Sequence, residues 1–149
     1  MRHRTAGRTS ATVAGAMAAI ISSSAVSQSP PAAGPTLEAS LMRLDQSDCT
    51  NSNVTASDPS LLGGTVRVVR QPNGTTSVKV DITAKPNTTY HFYLKCVRQL
   101  GDIATHDEGD GEGVFEFATT ETGAVYAFDM YPEGAPLGDK YQRVQVKFP

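Results

Sequence analysis

The residues best suited to bind an ion lie in one acidic, glycine-rich stretch, residues 107–113, which reads Asp-Glu-Gly-Asp-Gly-Glu-Gly. Carboxylate oxygens on a flexible loop suit Ca²⁺, which takes roughly six to eight oxygen ligands. Asp107, Asp110 and Glu112 are therefore the candidate metal ligands. The stretch departs from the helical calcium-loop pattern, because the closing acidic position falls on Thr119. The alternative is a solvated hairpin loop whose charges prevent aggregation of a sheet end.

Histidine chemistry is the second possibility. His91 is predicted on the outward face of a strand, where a surface imidazole needs no catalytic role. His106 precedes Asp107, but adjacency in sequence does not place two side chains in a catalytic hydrogen bond. The sequence contains no Gly-x-Ser-x-Gly elbow. We therefore assign no catalytic residues and expect a protein that is not an enzyme.

The two cysteines, Cys49 and Cys96, predict one disulfide if the protein is exported, since a cysteine pair tends to oxidise outside the cytosol. Closing this loop of nearly fifty residues stabilises the fold by roughly 4 kcal/mol in the chain-entropy model. A redox or nucleophilic cysteine is the alternative. Neither cysteine has the second thiol of a Cys-x-x-Cys motif, and neither has a nearby histidine that would lower the pKa of its thiol.

The amino terminus predicts export. Arg2, Arg4 and Arg8 precede a short, alanine-rich apolar stretch and then small residues, the order found in secretory signal peptides. The apolar stretch is shorter than the roughly 20 residues that a spanning helix needs, so we expect no permanent membrane span. Residues 1–27 are read as the signal peptide and residues 28–35 as a flexible lead-in. We expect a single domain over residues 36–149, located in the periplasm or outside the cell.

Removal of residues 1–27 would leave 10 basic and 15 acidic residues, a net charge of −5. Such a surface repels nucleic acid and anionic lipid. We expect no nucleic-acid partner. A protein or another cell-surface component remains as the expected kind of partner, and its identity stays open.

Alternation of apolar and polar side chains dominates after residue 64. Val78, Val80 and Ile82 alternate with polar residues, as in a strand with one face in a core. Turn residues fall between such runs, and Asn73-Gly74 is a strong hairpin signal. Residues 36–44 fit either a short helix or an edge strand, and we favour the strand. Seven or eight strands are expected, near residues 37–45, 64–71, 77–84, 88–98, 102–106, 113–119, 123–130 and 141–148.

This strand count resembles an immunoglobulin-like sandwich, and residues 86–94 followed by 107–117 are similar to small exported bacterial β-sandwich proteins of uncharacterised function. The resemblance covers most of the chain after the leader. It implies an all-β, antiparallel, immunoglobulin-like β-sandwich with one disulfide. The copper/zinc superoxide dismutase sandwich has a neighbouring shape. Its metal centres need a histidine cluster, whereas only His91 and His106 lie after the leader.

Three aromatic residues near the end of one predicted strand, Tyr126, Phe128 and Tyr131, could form a contact patch if they are exposed. Core packing explains them equally well. The favoured interpretation is a non-enzymatic secreted or envelope module that binds a partner or has a structural role. The alternative is a Ca²⁺-binding or metal-dependent protein that uses residues 107–113.

Overall fold

The computed structural model describes residues 34–44, 59–136 and 138–149, with the backbone alone for residues 143–145. These ranges belong to one compact unit over residues 31–149. Eight β-strands run through it: β1 Thr36–Arg43, β2 Leu62–Arg70, β3 Thr75–Thr83, β4 Thr89–Leu94, β5 Arg98–Ala104, β6 Asp110–Ala118, β7 Val125–Tyr131 and β8 Tyr141–Lys147. Two single-turn 3₁₀ helices, Pro59–Leu61 and Thr119–Glu121, lie in connections. No helix within the described ranges has the length and apolar character needed to span a membrane.

The strands follow the alternation seen in the sequence. In β3, Val78, Val80 and Ile82 are buried, while Lys79 is exposed and Asp81 is half-buried. The β2–β3 hairpin also forms at the predicted turn. Only Gly74 there has a positive φ, of 83°. The turn is therefore not the two-residue type in which Asn73 would share that conformation; Asn73 instead accepts a hydrogen bond from the backbone N–H of Thr75 at 3.0 Å.

All eight strands form one antiparallel sheet in the order β5-β4-β7-β8-β1-β2-β3-β6. Its two end strands, β5 and β6, also contact each other, so the sheet is nearly closed. The links from β3 to β4 and from β6 to β7 each cross between non-neighbouring strands, as in Greek-key connections. The all-β antiparallel prediction is confirmed. The two separate sheets of an immunoglobulin-like sandwich are not.

Small residues explain the closure between β5 and β6. A Cβ atom at Gly111 would lie 2.8 Å from the backbone oxygen of Ala104, and one at Gly101 would lie 2.5 Å from Cε1 of Phe115. The same phenyl ring covers Gly113. These glycines let the two end strands approach closely, and the ring of Phe115 fills the space that they leave.

The segment that fitted either a helix or an edge strand forms β1, so the favoured strand assignment is confirmed. Its predicted position at an edge of the sheet is wrong. It pairs with β2 along most of its length and with β8 through Met42 and Arg43. The first strand is thus enclosed between the last strand and the second. Met42 lies on the outside of the sheet, where Leu44, Leu61 and Ala127 pack against it.

The core inside the sheet combines aliphatic side chains with a cluster of stacked aromatic rings. The ring of Phe92 stacks on Phe115 with centroids 5.2 Å apart and on Phe128 at 5.5 Å. Tyr126 is also fully buried, and its hydroxyl lies 3.2 Å from the hydroxyl of Thr76. The phenol therefore keeps a hydrogen-bond partner inside the core, as buried tyrosines usually do.

Candidate binding cleft

Outward-facing side chains of β4 and β7 build a surface that combines aromatic and charged groups. In β4 the inward residues are fully buried, so Tyr93 and His91 face outward. In β7 the same alternation turns Asp129 and Tyr131 outward. Antiparallel pairing places Tyr93 opposite Asp129 and His91 opposite Tyr131. Residues far apart in the sequence therefore share one face.

An open cleft of about 370 Å³ lies on this face. We call it the aromatic cleft; it is lined by Tyr93, Cys96, Val97, Arg98, Asp129, Tyr131, Lys140 and Gln142. The rings of Tyr93 and Tyr131 stack with centroids 5.1 Å apart and planes 11° apart. Nζ of Lys140 lies 5.5 Å from the centroid of the Tyr131 ring. The cleft thus combines an aromatic wall, a carboxylate and an ammonium group.

Asp129 is the carboxylate of this cleft. Burial raises its pKa to about 6, above the ordinary value of 3.8, although the nearby charges of Lys95 and Lys140 oppose that change. Lys95 is itself buried, and its backbone N–H donates to the carbonyl oxygen of Ala127 at 2.9 Å. The loss of hydration at Asp129 therefore outweighs the attraction of two lysines.

We expect Asp129→Asn to stabilise the protein above about pH 6. The raised pKa means that the folded state binds a proton more tightly than the unfolded state, so native stability falls as pH rises from 3.8 to about 6. The neutral amide lacks this penalty, and the variant should gain about 1–2 kcal/mol above this window, after allowance for partial exposure. Below it the two proteins should unfold alike. Urea titrations across this pH range measure the difference.

The matched control for that measurement is Glu116→Gln, which neutralises an exposed carboxylate on β6. Its unfolding midpoint should differ little from that of the wild type at every pH in the series. A D129N variant that is less stable than wild type above pH 6 would show that the two lysines, and not burial, dominate at Asp129.

Arg98 forms the rim of the aromatic cleft on the β5 side. Its Nε and one terminal nitrogen donate to the two carboxylate oxygens of Glu121 at 2.9 and 3.2 Å. Glu121 also accepts from the backbone N–H of Ala118 at 3.1 Å. The pKa of Glu121 is lowered, first by its hydrogen bond to Arg98. The guanidinium is thus already paired with a carboxylate within the protein.

His91 is not the isolated surface imidazole expected from sequence. Its Nδ1 lies 2.7 Å from Oδ1 of Asp102, its cross-strand neighbour on β5, and its Nε2 lies 3.7 Å from Glu133. Gln99 Nε2 donates to the same Asp102 oxygen at 2.6 Å. Neither His91 nor Asp102 belongs to the lining of the aromatic cleft.

The predicted metal residues lie elsewhere. The acidic stretch is not one loop, because the backbone turn ends at Gly109 and β6 begins at Asp110. Asp110 and Glu112 share the outer face of β6 and border a groove of about 510 Å³ together with His106, whereas Asp107 does not line this groove. Within the described ranges, no three histidine, cysteine or acidic side chains are grouped so as to hold a metal ion.

The neighbours of this acidic face are basic. Nζ of Lys79 lies 3.2 Å from Asp81 and 3.5 Å from Glu112, and Arg67 binds both Asp81 and Glu38, at 2.7 and 2.8 Å. These charges form a ladder across β1, β2, β3 and β6. Part of the negative charge is thus balanced within the sheet, and the exposed pairs contribute little to stability each.

The predicted contact patch is wrong for two of its three members. Tyr126 and Phe128 are fully buried in the core, because they occupy inward positions of β7. Tyr131 is half-buried and lines the aromatic cleft. Sequence reasoning missed Tyr93 and Asp129. The signal available was an outward tyrosine in β4 and an acidic residue between two buried residues of β7.

Of the predicted disulfide, Cys49 lies outside the described residues, so its pairing with Cys96 stays a prediction. Cys96 lies outside β4, although the predicted strand 88–98 includes it. That strand ends at Leu94 and the chain turns, with the N–H of Val97 donating to the carbonyl of Leu94 at 2.9 Å. Cys96 is exposed there with φ of 60° and borders the aromatic cleft. The predicted signal peptide, residues 1–27, also lies outside the described residues.

Comparison with known proteins gives no relative from which a role could be carried over. No protein-family model matches the chain, and no curated protein matches it significantly.

Proposed function

We propose that this protein is an exported, non-enzymatic binding module that uses the aromatic cleft to hold a ligand or a side chain of a partner at the cell surface. The observation that carries the proposal is the stacked pair Tyr93 and Tyr131 beside the half-buried Asp129. Ligand sites are typically concave, with aromatic walls and a few polar groups that fix orientation.

The energetics of the cleft support a binding role over a purely structural one. Tyrosines that pack only for stability can do so inside the sheet, as Tyr126 does. Tyr93 and Tyr131 instead stack on the outside, where part of each ring stays accessible. Asp129 beside them destabilises the folded state once it is ionised. Groups that reduce stability in this way are common at functional sites.

Export and the single disulfide belong to the same proposal. The arginine-led, alanine-rich leader favours secretion, and secretion favours oxidation of Cys49 and Cys96. The resemblance to small exported bacterial β-sandwich proteins is consistent with a role in the envelope or outside the cell.

The proposal predicts that binding of the purified exported protein to the surface fraction of its source cells depends on the tyrosine pair. A double variant, Tyr93→Leu with Tyr131→Leu, keeps apolar cover on the sheet but removes the rings and hydroxyls. Bound protein should fall by about tenfold or more, because aromatic anchors dominate binding energy at interfaces. Quantitative co-sedimentation with the surface fraction measures this.

The control for this experiment is Val114→Ala with Val125→Ala, two exposed valines that do not line the cleft. This variant should bind as the wild type does. Equal binding by the tyrosine variant and the control, with both proteins folded by circular dichroism, would remove the aromatic cleft as the binding surface.

A further inference from the structure

We propose that the group recognised by the aromatic cleft is an alkylammonium, either a free amine or the side chain of a partner's lysine. This inference rests on the proposed function and adds the chemistry of the ligand. Three features carry it: the aromatic wall, the carboxylate next to it, and the position of the protein's own lysine.

The aromatic wall already holds an ammonium group. Nζ of Lys140 lies 5.5 Å from the centroid of Tyr131, within the roughly 6 Å over which a cation is attracted to a ring face. The Tyr93 ring stacks on Tyr131 and adds a second ring to the wall. Lys140 therefore shows which chemical group the wall accepts, and it occupies part of the site that a ligand would use.

Asp129 supplies the negative charge beside the aromatic wall. It pairs with Tyr93 on β4 and with Gln142 on β8, so its neighbours on both strands line the cleft as well. Lys95 and Lys140 both favour its ionised form, yet burial still raises its pKa. Burial removes hydration from the Asp129 carboxylate. An incoming ammonium group would compensate for this loss, since a nearby positive charge favours the ionised form.

An anionic ligand fits this cleft less well. Two cationic side chains line the cleft: Arg98 is bound in a two-point contact to Glu121, and Lys140 already lies at the ring of Tyr131. Asp129 itself would repel an anion when ionised. The net charge of −5 expected after removal of residues 1–27 also attracts cations towards the surface.

The test is titration of the isotopically labelled protein with N-acetyl-lysine methylamide, followed by amide chemical shifts. N-acetyl-norleucine methylamide, of similar shape but uncharged, is the comparison probe, and butylammonium represents a free amine. The lysine probe should bind about tenfold or more tightly than the norleucine probe, and shift changes should centre on Tyr93, Asp129 and Tyr131.

Two variants separate the contributions. Asp129→Asn should weaken binding of the ammonium probes by about tenfold, because the charge-assisted contact is lost. Lys140→Met should strengthen it by about threefold to tenfold, because the internal competitor leaves the ring of Tyr131. Glu116→Gln, remote from the cleft on β6, should leave affinity unchanged.

The pH dependence supplies an independent readout. Affinity should be lower at about pH 5 than at about pH 8, because Asp129 is protonated at the lower value. Lys140 and Arg98 line the same cleft, and the charge of Lys95 also acts on Asp129. As a control, His91→Gln, at the position opposite Tyr131, must keep the pH dependence while Asp129→Asn loses it.

The results also separate this inference from the proposed function. If only butylammonium binds, the ligand is a free amine; if only the lysine probe binds, it is a side chain, and both results support the inference. Equal binding of the norleucine probe, or unchanged affinity in Asp129→Asn, overturns it while surface binding through Tyr93 and Tyr131 can still hold. Surface binding that is independent of both tyrosines rejects the proposed function itself.

Discussion

Phe92→Ala should lower the free energy of unfolding by about 3–5 kcal/mol, the range for loss of a fully buried phenylalanine. Phe92 is fully buried, and its ring stacks on Phe115 and on Phe128. It therefore connects β4 to both β6 and β7 across the inside of the sheet. Alanine removes these contacts and leaves a cavity between strands that cannot move closer, because Gly101 already lies against Phe115. Urea unfolding followed by circular dichroism measures the loss.

Two further variants keep this prediction testable if the alanine variant does not fold. Phe92→Leu fills much of the same volume and should lose only about 1–2 kcal/mol. Val114→Ala, at an exposed position of β6, should change stability by less than about 0.5 kcal/mol. Two results would contradict the aromatic core described above. One is a Phe92→Leu variant that does not fold, and the other is a Phe92→Ala variant whose free energy of unfolding equals that of Val114→Ala.

The strands themselves were predictable because alternation is a local property. Val78, Val80 and Ile82 reveal which face of β3 is buried without knowledge of its neighbours. The pattern of the first segment fitted a helix as well as a strand, and the strand assignment that we favoured is confirmed. Its position was not predictable, because enclosure of β1 between β2 and β8 depends on which strands pair, and the pattern of β1 does not specify its partners. Local pattern gives the face of a strand but not its neighbours.

The contact that closes the sheet, between β5 and β6, was not predictable from local pattern either. Gly111 and Gly113 suggested a flexible loop from sequence, since glycine is common in turns. In the structure they belong to β6 and allow it to lie close to β5. Glycine in a strand marks close approach of another chain segment as readily as a turn. Gly111 and Gly113 have this role in close approach. The predicted acidic loop is therefore mostly strand, with Asp110 and Glu112 on its outer face.

The aromatic cleft could be predicted only in part. Alternation places Tyr93 and Asp129 outward on their own strands, but their meeting depends on the pairing of β4 with β7, which are not consecutive. Tyr126, Phe128 and Tyr131 do not form one patch, because alternate residues of a strand point to opposite faces of the sheet. Tyr126 and Phe128 point inward from β7, and Tyr131 points outward.

The second large effect concerns the proposed bridge between Cys49 and Cys96. Its reduction, or the double variant Cys49→Ser with Cys96→Ser, should lower the free energy of unfolding by about 4 kcal/mol in the chain-entropy model. The linked loop contains β2, β3 and β4, so a cross-link restricts the segments of three of the eight described strands in the unfolded chain. Urea unfolding with and without reductant measures the loss.

The double serine variant separates the cross-link from the local conformation of Cys96. The φ of 60° at this position is unfavourable for cysteine and serine alike. The substitution therefore leaves the free-energy cost of this backbone conformation nearly unchanged. Reductant should destabilise the wild type and leave the variant unaffected, and the two should then have similar midpoints. Two thiols that react with an alkylating agent in the exported, unreduced protein would rule out the bridge. A bridge that forms would fix the turn between β4 and β5 at the rim of the aromatic cleft, which links the redox state of the compartment to the shape of the binding surface.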